Sequence, residues 1–474
     1  MTLLTELKTK VYEVVHSSKW PLICVAACLI VWLTCVIAIS YPGKPTNDTI
    51  AQLQQAVVGN IDNWKPALYA YILKILNIIF GERCLGSAFI LQTILFGLGY
   101  ALIVWNYAKR NSVFLWAMPL IFAFNAKCIN ITHIGNDALC AACFIMYIGL
   151  VLTARRFVGK KYYYLLIICS SIALFVGFTM RHNSFPAVLV LCMFTFMPIC
   201  RNVIKSAMYS CLACIVLLGF NVALNNCVFK VKATYPLRFA YAVDMVNISI
   251  LNNEWEPFCK AEQEKQGKEL PLPATYCMLR ADVCNFYETG LEPYKKNEES
   301  QTLKKINDAY FMGWQETVLN HPKEYLFLKA YFFHQFLLSG RSLPFIESWI
   351  SKNYPHVSTY GDTICHDWRA WCNHLLVFNS IIPMAGYISL IFVMYLAYRK
   401  KSMHSTESKD ALYMLGAAAA YTSTFSVFTL SSSEFRFYIV TSSLSFIGFL
   451  LLVIPLIYNF VTKTRHKKNG FFNT

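Results

Sequence analysis

Charge is what this sequence has least of. Only 14% of its 474 residues are charged, and only 26 are acidic. An average soluble domain carries about a quarter charged residues, so the deficit excludes a chain that shows most of its surface to water. Nor is the charge thinned evenly. It gathers in short clusters and one long polar stretch, with apolar runs between them. A bilayer imposes that pattern, because an uncompensated charge in hydrocarbon costs several kcal/mol. Zinc-type Cys/His spacing is also lacking despite 18 cysteines, which argues against zinc modules. There is no repeat of fixed period and no low-complexity tract, so solenoids and disordered linkers are excluded as the organising principle.

What is present is a series of apolar segments of bilayer length. A span needs about 20 apolar residues. The candidates are 20–40, 84–108, 112–125, 137–154, 163–180, 184–200, 207–224, 375–398, 411–431 and 437–459. The expected fold is an all-α integral membrane protein with about ten spans. The count rises to twelve if two shorter apolar stretches, 67–80 and 325–339, also cross. Each of those carries a mid-segment lysine, Lys74 or Lys329, and both read better as helices in the membrane interface. The run from Pro21 to Ser40 is too long for a signal-peptide core and reads as the first span.

The net charge of +16 sits at the ends of these segments. Basic clusters occur at Lys8, Lys10 and Lys19, at Lys109–Arg110, at Arg155–Arg156 with Lys160–Lys161, at Arg201 with Lys205, at Arg399–Lys401 and at Lys463–Lys468. Alternating the spans puts every cluster on one face, the cytoplasmic one by the positive-inside rule. Topology then explains the basic excess, and no nucleic-acid partner is expected. Both termini are cytoplasmic in this reading, and loops 41–83, 126–136, 181–183, 225–374 and 432–436 face outward. The chain divides into an N-terminal transmembrane module (1–224), whose first outward loop is 41–83, a large extracytoplasmic segment (225–374) that can form a small subdomain, and a C-terminal transmembrane module (375–474). Six cysteines fall in polar outward sequence: Cys227, Cys259, Cys277, Cys284, Cys365 and Cys372. Disulfides are permitted there.

The first outward loop is the richest in chemistry. Tyr41-Pro42-Gly43 turns the chain after the first span. Asn47 or Asp48 can cap a helix on which Ile50, Leu53 and Val57 recur at helical spacing. Gly59 ends that helix, and Lys65–Pro66 begins the next. Asp48 is either a helix cap or a functional carboxylate, and Lys65 either a snorkelling anchor or a phosphate ligand. In the second loop, Asp137 stands where a helix re-enters hydrocarbon, which suits an N-cap or a functional acid. Asp48 and Asp137 come from separate outward loops and could converge on a divalent metal or an acceptor hydroxyl. Arg181-His182-Asn183 is squeezed between two spans on the outer side, where arginine is disfavoured unless it has an anion to bind. Ser433-Glu434-Phe435-Arg436-Phe437 places a further arginine between the last two spans.

Together these residues resemble the C-type (GT-C) superfamily of membrane glycosyltransferases. Asp48 matches the aspartate of the first outward loop, and Asp137 the acidic residue of the next. Trp64-Lys65-Pro66-Ala67-Leu68-Tyr69 through Phe80-Gly81 is similar to the Lys-Pro segment and following helix end of bacterial lipid A aminoarabinose transferases. Glu434-Phe435-Arg436-Phe437 resembles an Arg-Tyr element near the C-terminus of several members, with Phe for Tyr. His321-Pro322-Lys323-Glu324-Tyr325-Leu326 resembles a His-Pro-x-x-Tyr-Leu stretch of bacterial relatives. Many members have a second acidic residue beside the first aspartate, whereas Asn47 and Thr49 flank Asp48 here, which weakens tight metal binding.

The resemblance implies a GT-C-like fold with two interfacial helices in the first outward loop. It implies an inverting transferase that moves a sugar from a polyprenyl-phosphate carrier to a hydroxyl of an envelope glycan or lipid. O-antigen glucosylation of bacterial lipopolysaccharide would be one such reaction. Asp48 and Asp137 would be catalytic, Asp48 as general base. Lys65, Arg181 and Arg436 would bind the donor phosphate. Tyr41, Trp64, Tyr69, His182, Asn183, His321, His334 and Glu434 would line the acceptor pocket. No cofactor is required beyond a possible divalent metal at Asp48 and Asp137. The enzyme would sit among the lipids of the bacterial inner membrane with its site facing the periplasm. The competing readings are a lipid-linked oligosaccharide flippase, a secondary transporter or an O-antigen polymerase. A transporter would favour charges at span midpoints and internal symmetry, and the sequence has little of either.

Overall fold

A computed structural model describes residues 20–120, 132–235, 237–254, 300–337, 352–354, 386–391, 406–428 and 438–471. It is almost wholly helical. The helices are α1 (Trp20–Ser40), α2 (Asn47–Val58), α3 (Ala67–Phe80), α4 (Cys84–Ala108), α5 (Asn136–Ala154), α6 (Tyr162–Thr179), α7 (Phe185–Cys200), α8 (Val203–Ala223), α9 (Leu237–Leu251), α10 (Ser300–Asn320), α11 (Pro322–Leu337), α12 (Thr406–Phe428) and α13 (Tyr438–Phe471). Two short strands, β1 (Lys44–Pro45) and β2 (His133–Ile134), pair in parallel.

Among the described residues, seven segments are long and apolar enough to cross a membrane: Trp20–Ser40, Ala67–Ala108, Asn136–Ala154, Tyr162–Thr179, His182–Cys200, Val203–Val228 and Ile439–Leu456. The expected segments 20–40, 84–108, 137–154, 163–180, 184–200, 207–224 and 437–459 fall within or across these. The segment 112–125 opens differently, as a 3-10 turn over Ser112–Trp116, and its residues 121–125 lie outside the described set. Of 375–398 only 386–391 are described, as helix. The 411–431 segment corresponds to α12. Gly81, at φ 55°, and the 3-10 turn Gly81–Arg83 part α3 from α4, so 67–80 is an element of its own.

Helix α5 is the centre of the bundle. Of its apolar window 94% is buried, against 11% for α1 and for α8. A helix that is apolar all round and still uncovered by protein needs a hydrocarbon solvent. Leu22, Ile30, Val31 and Ile39 on α1 are exposed, as are Met208, Leu212, Ile215 and Val216 on α8. Small residues bring α4 and α5 together: a methyl on Gly99 would lie 2.6 Å from the Met146 backbone nitrogen, and one on Gly149 would lie 2.7 Å from the Gly99 carbonyl. Such contacts drive packing where lipid competes on equal terms for apolar surface.

Charged contacts tie one end of the bundle together. There, Arg155 binds Asp410 (3.1 Å) and lies over the Phe194 ring. Tyr107 donates to the same carboxylate at 2.7 Å, and Arg110 lies 3.9 Å from Glu407. The segments around residues 41–71, 132–137, 181–184 and 225–235 gather at the other.

Candidate functional site

The site is built on the first loop. Helix α2 is capped by Thr46, whose hydroxyl accepts from the Thr49 amide at 3.2 Å. The expectation that Asn47 or Asp48 caps it is therefore corrected: the cap comes one residue earlier, in extended backbone (φ −86°, ψ 161°), leaving the Asp48 carboxylate in the first turn. The helix dipole stabilises a carboxylate there. Gly59 ends α2 in the left-handed conformation (φ 80°), its amide returning to the Gln55 carbonyl at 2.9 Å.

Helix α2 is inverted relative to a soluble one. Thr49, Gln52 and Ala56 are its buried face, while Ile50, Val57 and Val58 are exposed. Helix α3 likewise buries Ala67, Tyr69, Ala70 and Leu73 and exposes Ile75, Ile78, Ile79 and Phe80. Lys65, between the two helices, forms an ion pair with Asp48. Asp62 folds the connection by accepting from the Trp64 amide (3.0 Å) and from Gln55 (3.0 Å).

The second loop is bolted onto the first. The β1–β2 pairing sets Lys44 opposite His133 and Pro45 opposite Ile134. The Thr49 hydroxyl donates to the Ile134 carbonyl at 2.6 Å, and Gln92 of α4 donates to the His133 carbonyl at 2.8 Å. This ribbon places the start of α5 beside the start of α2. Asp137 lies in the first turn of α5, behind a Gly135 cap. It is buried and receives Arg181 at 2.5 Å. Burial alone would disfavour the guanidinium charge. Asp137, Tyr421 and the more distant Asp48 outweigh it and hold the Arg181 pKa above its ordinary value.

Asp48 and Asp137 therefore do lie in one region, but each has its own cation. The pairs differ in access: the Asp48 and Lys65 side chains are 35% and 22% exposed, those of Asp137 and Arg181 7% and 18%. Asn183 is buried in the same turn, and His182, exposed, engages the Asn63 backbone. Tyr69 is buried on α3. Tyr41 packs against Gly86 of α4. A third segment also clasps the first loop. Along the Asp62–Lys232 bridge the Asn63 amide donates to the Lys232 carbonyl at 3.0 Å and the Lys232 amide to the Ile61 carbonyl at 3.2 Å, Thr234 donates to Asn63, and Tyr71 stacks on Phe229 at 3.7 Å.

His321 stands apart, at the junction of α10 and α11, 3.9 Å from Glu254. The His334 side chain, Glu434 and Arg436 lie outside the described residues, as do Cys259, Cys277, Cys284, Cys365 and Cys372; Cys227 is an exposed free thiol. Helices α9, α10 and α11 hold a cluster that sequence reasoning missed. Asp244 of α9, buried, accepts from Lys329 (2.7 Å) and from the Trp314 indole (3.0 Å). Lys329 is thus a buried ion-pair partner, and its position inside an apolar segment was the one signal for this. Two Cys-x-x-Cys spacings occur, Cys140/Cys143 and Cys211/Cys214, both within apolar helices and free. No group of three or more metal-type ligands occurs among the described residues.

No protein-family model matches this chain, and neither does any curated protein or solved structure.

Proposed function

We propose that the chain is a membrane-embedded glycosyltransferase of GT-C type that takes its sugar from a polyprenyl-phosphate carrier. The observation that carries the proposal is the meeting of two carboxylate–cation pairs, Asp48–Lys65 and Asp137–Arg181, from four separate places in the sequence, beneath two helices whose apolar faces are uncovered. That arrangement offers a base and phosphate ligands at the depth of a lipid headgroup.

In the proposed reaction an acceptor hydroxyl attacks the anomeric carbon. Its proton passes to Asp48, the new C–O bond forms, and the bond from the anomeric carbon to the phosphate oxygen breaks. Polyprenyl phosphate leaves with the bonding pair, and in-line attack inverts the anomeric centre. Asp48 suits the base role because its pair is open to solvent, so that donor phosphate can draw Lys65 away and expose the carboxylate. Lys65 and Arg181 meet the charge that develops on the leaving group. A divalent cation at Asp48 and Asp137 would compete with Lys65 and Arg181 for the same oxygens. The acceptor is an envelope glycan or lipid, and the site faces the periplasm, opposite the end where Arg110, Arg155 and Arg156 gather. A transporter or flippase is less well supported, because these charges cluster at one end of the bundle and not at span midpoints. Asp48→Asn is expected to abolish transfer of labelled sugar from a polyprenyl-phosphate donor while the protein still inserts and folds. Retained transfer would remove the mechanism.

A further inference from the structure

The end of the bundle away from the proposed site carries cations that the proposed reaction does not use. Trp105, in the last turn of α4, has two of them over its indole. Lys109 Nζ lies 5.7 Å and the Arg156 guanidinium 5.2 Å from the ring centroid. Lys109 follows α4 and Arg156 lies just past α5, so two helix ends share one ring. Arg156 also donates to the Asn106 carbonyl of α4, yet its buried Nη1 has no hydrogen-bond partner among the described residues. Arg110, next to Lys109, is half exposed and 3.9 Å from Glu407 in the first turn of α12. The other carboxylate of α12, Asp410, is taken by Arg155 and Tyr107. Neither Lys109 nor Arg156 has a carboxylate partner among the described residues. Burial and the Arg110 charge together push the Arg156 pKa below its ordinary value.

An aromatic ring attracts a cation without neutralising it. Lys109, Arg110 and Arg156 thus share the single carboxylate of Glu407, and the cluster is complementary to an anion. Its depth names the anion. Trp105 and Lys109 stand where the apolar run Ala67–Ala108 ends, and Arg156 where Asn136–Ala154 ends. Span ends lie at headgroup level, where lipid phosphates sit and tryptophan is favoured. Lys109 and Arg110 are exposed and reach a phosphate on flexible stems. Arg156, held by the Asn106 carbonyl and the ring, adds its charge from the less exposed side. Cations that served topology alone would point separately into water. These are gathered on one ring by two helices.

We propose that Lys109, Arg110 and Arg156, gathered around Trp105, bind the phosphate of an anionic phospholipid such as phosphatidylglycerol at the junction of α4, α5 and α12. This lipid is a resident of the bundle and not a substrate, so the inference stands apart from the sugar-transfer reading. A phosphate held there braces α4 and α5 against α12. The Arg110–Glu407 contact, at 3.9 Å and exposed on the arginine side, is too weak to do so alone.

The test is native mass spectrometry of the full-length protein in dodecyl maltoside, titrated with phosphatidylglycerol or with phosphatidylcholine of the same acyl chains. The wild type should hold phosphatidylglycerol about tenfold more tightly, since each basic residue near an anionic lipid contributes a factor of about five. Lys109→Gln with Arg110→Gln should cut that preference below about threefold and leave phosphatidylcholine binding unchanged. Lys109→Gln alone, which keeps the Arg110–Glu407 contact, should cut it about threefold and decides the matter if the double variant does not fold. Lys160→Gln with Lys161→Gln removes the same charge from the exposed turn after α5 and should keep the preference. If the two double variants lower it alike, diffuse charge is responsible and the proposal falls. It falls also if the wild type does not distinguish the two lipids. If inorganic phosphate displaces phosphatidylglycerol, the cluster takes a soluble anion and the lipid assignment is wrong.

Discussion

Arg181→Met is the most informative test of the framework. The substitution keeps an unbranched side chain of similar reach but removes the cation that meets Asp137 at 2.5 Å. The Asp137 side chain is only 7% exposed, so its carboxylate would be left charged with almost no water. Breaking a buried pair from one side costs about 3–5 kcal/mol. At about 1.4 kcal/mol per decade, a loss near 4 kcal/mol lowers the folded-to-unfolded ratio by roughly three orders of magnitude. Asp137→Asn with Arg181→Met should recover much of this, because no orphan charge remains, and the interaction energy from the cycle should fall near 2–3 kcal/mol. Lys65→Met is the internal control. Its pair is open to solvent, so it should cost under about 1 kcal/mol. The assay is unfolding by SDS titration in bicelles, followed by tryptophan fluorescence. If Arg181→Met costs no more than Lys65→Met, the Asp137–Arg181 pair is not desolvated and burial does not rank the two.

Gly99→Ala should weaken the bundle by about 1–3 kcal/mol, because its methyl meets Met146 backbone and not a movable side chain; the same SDS titration reads it. Among α9, α10 and α11, burial holds the Asp244 carboxyl above its ordinary value of 3.8, with Lys329 and Trp314 pulling partly back. The folded state thus binds this proton more readily than the unfolded one, so its contribution is full below pH 3.8 and is lost as pH rises through the raised folded value. Measured against Asp244→Asn from neutral to acidic pH, the wild type should gain stability as the pH falls through that raised value, and parallel curves would refute it.

How much of this was legible in the sequence differs by element. Seven of the ten expected apolar spans were, among the described residues, because a bilayer demands uninterrupted length and tolerates no charge. The bounds of α3 matched the 67–80 segment, since Pro66 and Gly81 punctuate it. Asp48, Lys65, Asp137 and Arg181 were legible as ionisable residues in the wrong place, each in a loop or at a helix edge where the topology did not require it. Their pairing was not. Nothing local tells Lys65 to meet Asp48 across the α2–α3 connection, or Arg181 to cross from the α6–α7 turn to α5. The Thr46 cap was hidden by three adjacent residues that cap equally well, Thr46, Asn47 and Asp48. Asp244 was invisible as a pairing residue for a different reason. It lies in an apolar helix whose periodicity says only that it is buried, and burial becomes meaningful once the partners from other helices are known.

The inversion of α2 has a mechanical corollary. Its polar face is fixed by direct bonds, Thr49 to Ile134 and Gln52 to the Pro66 carbonyl at 3.1 Å, while Ile50, Val57 and Val58 point away from protein. In a bilayer that outer face would rest on lipid. Asp48 is then carried on a float whose keel is bolted to the bundle. Membrane thickness and headgroup packing would press on the float, so the height of the carboxylate would respond to lipid composition even though no residue of the site had changed.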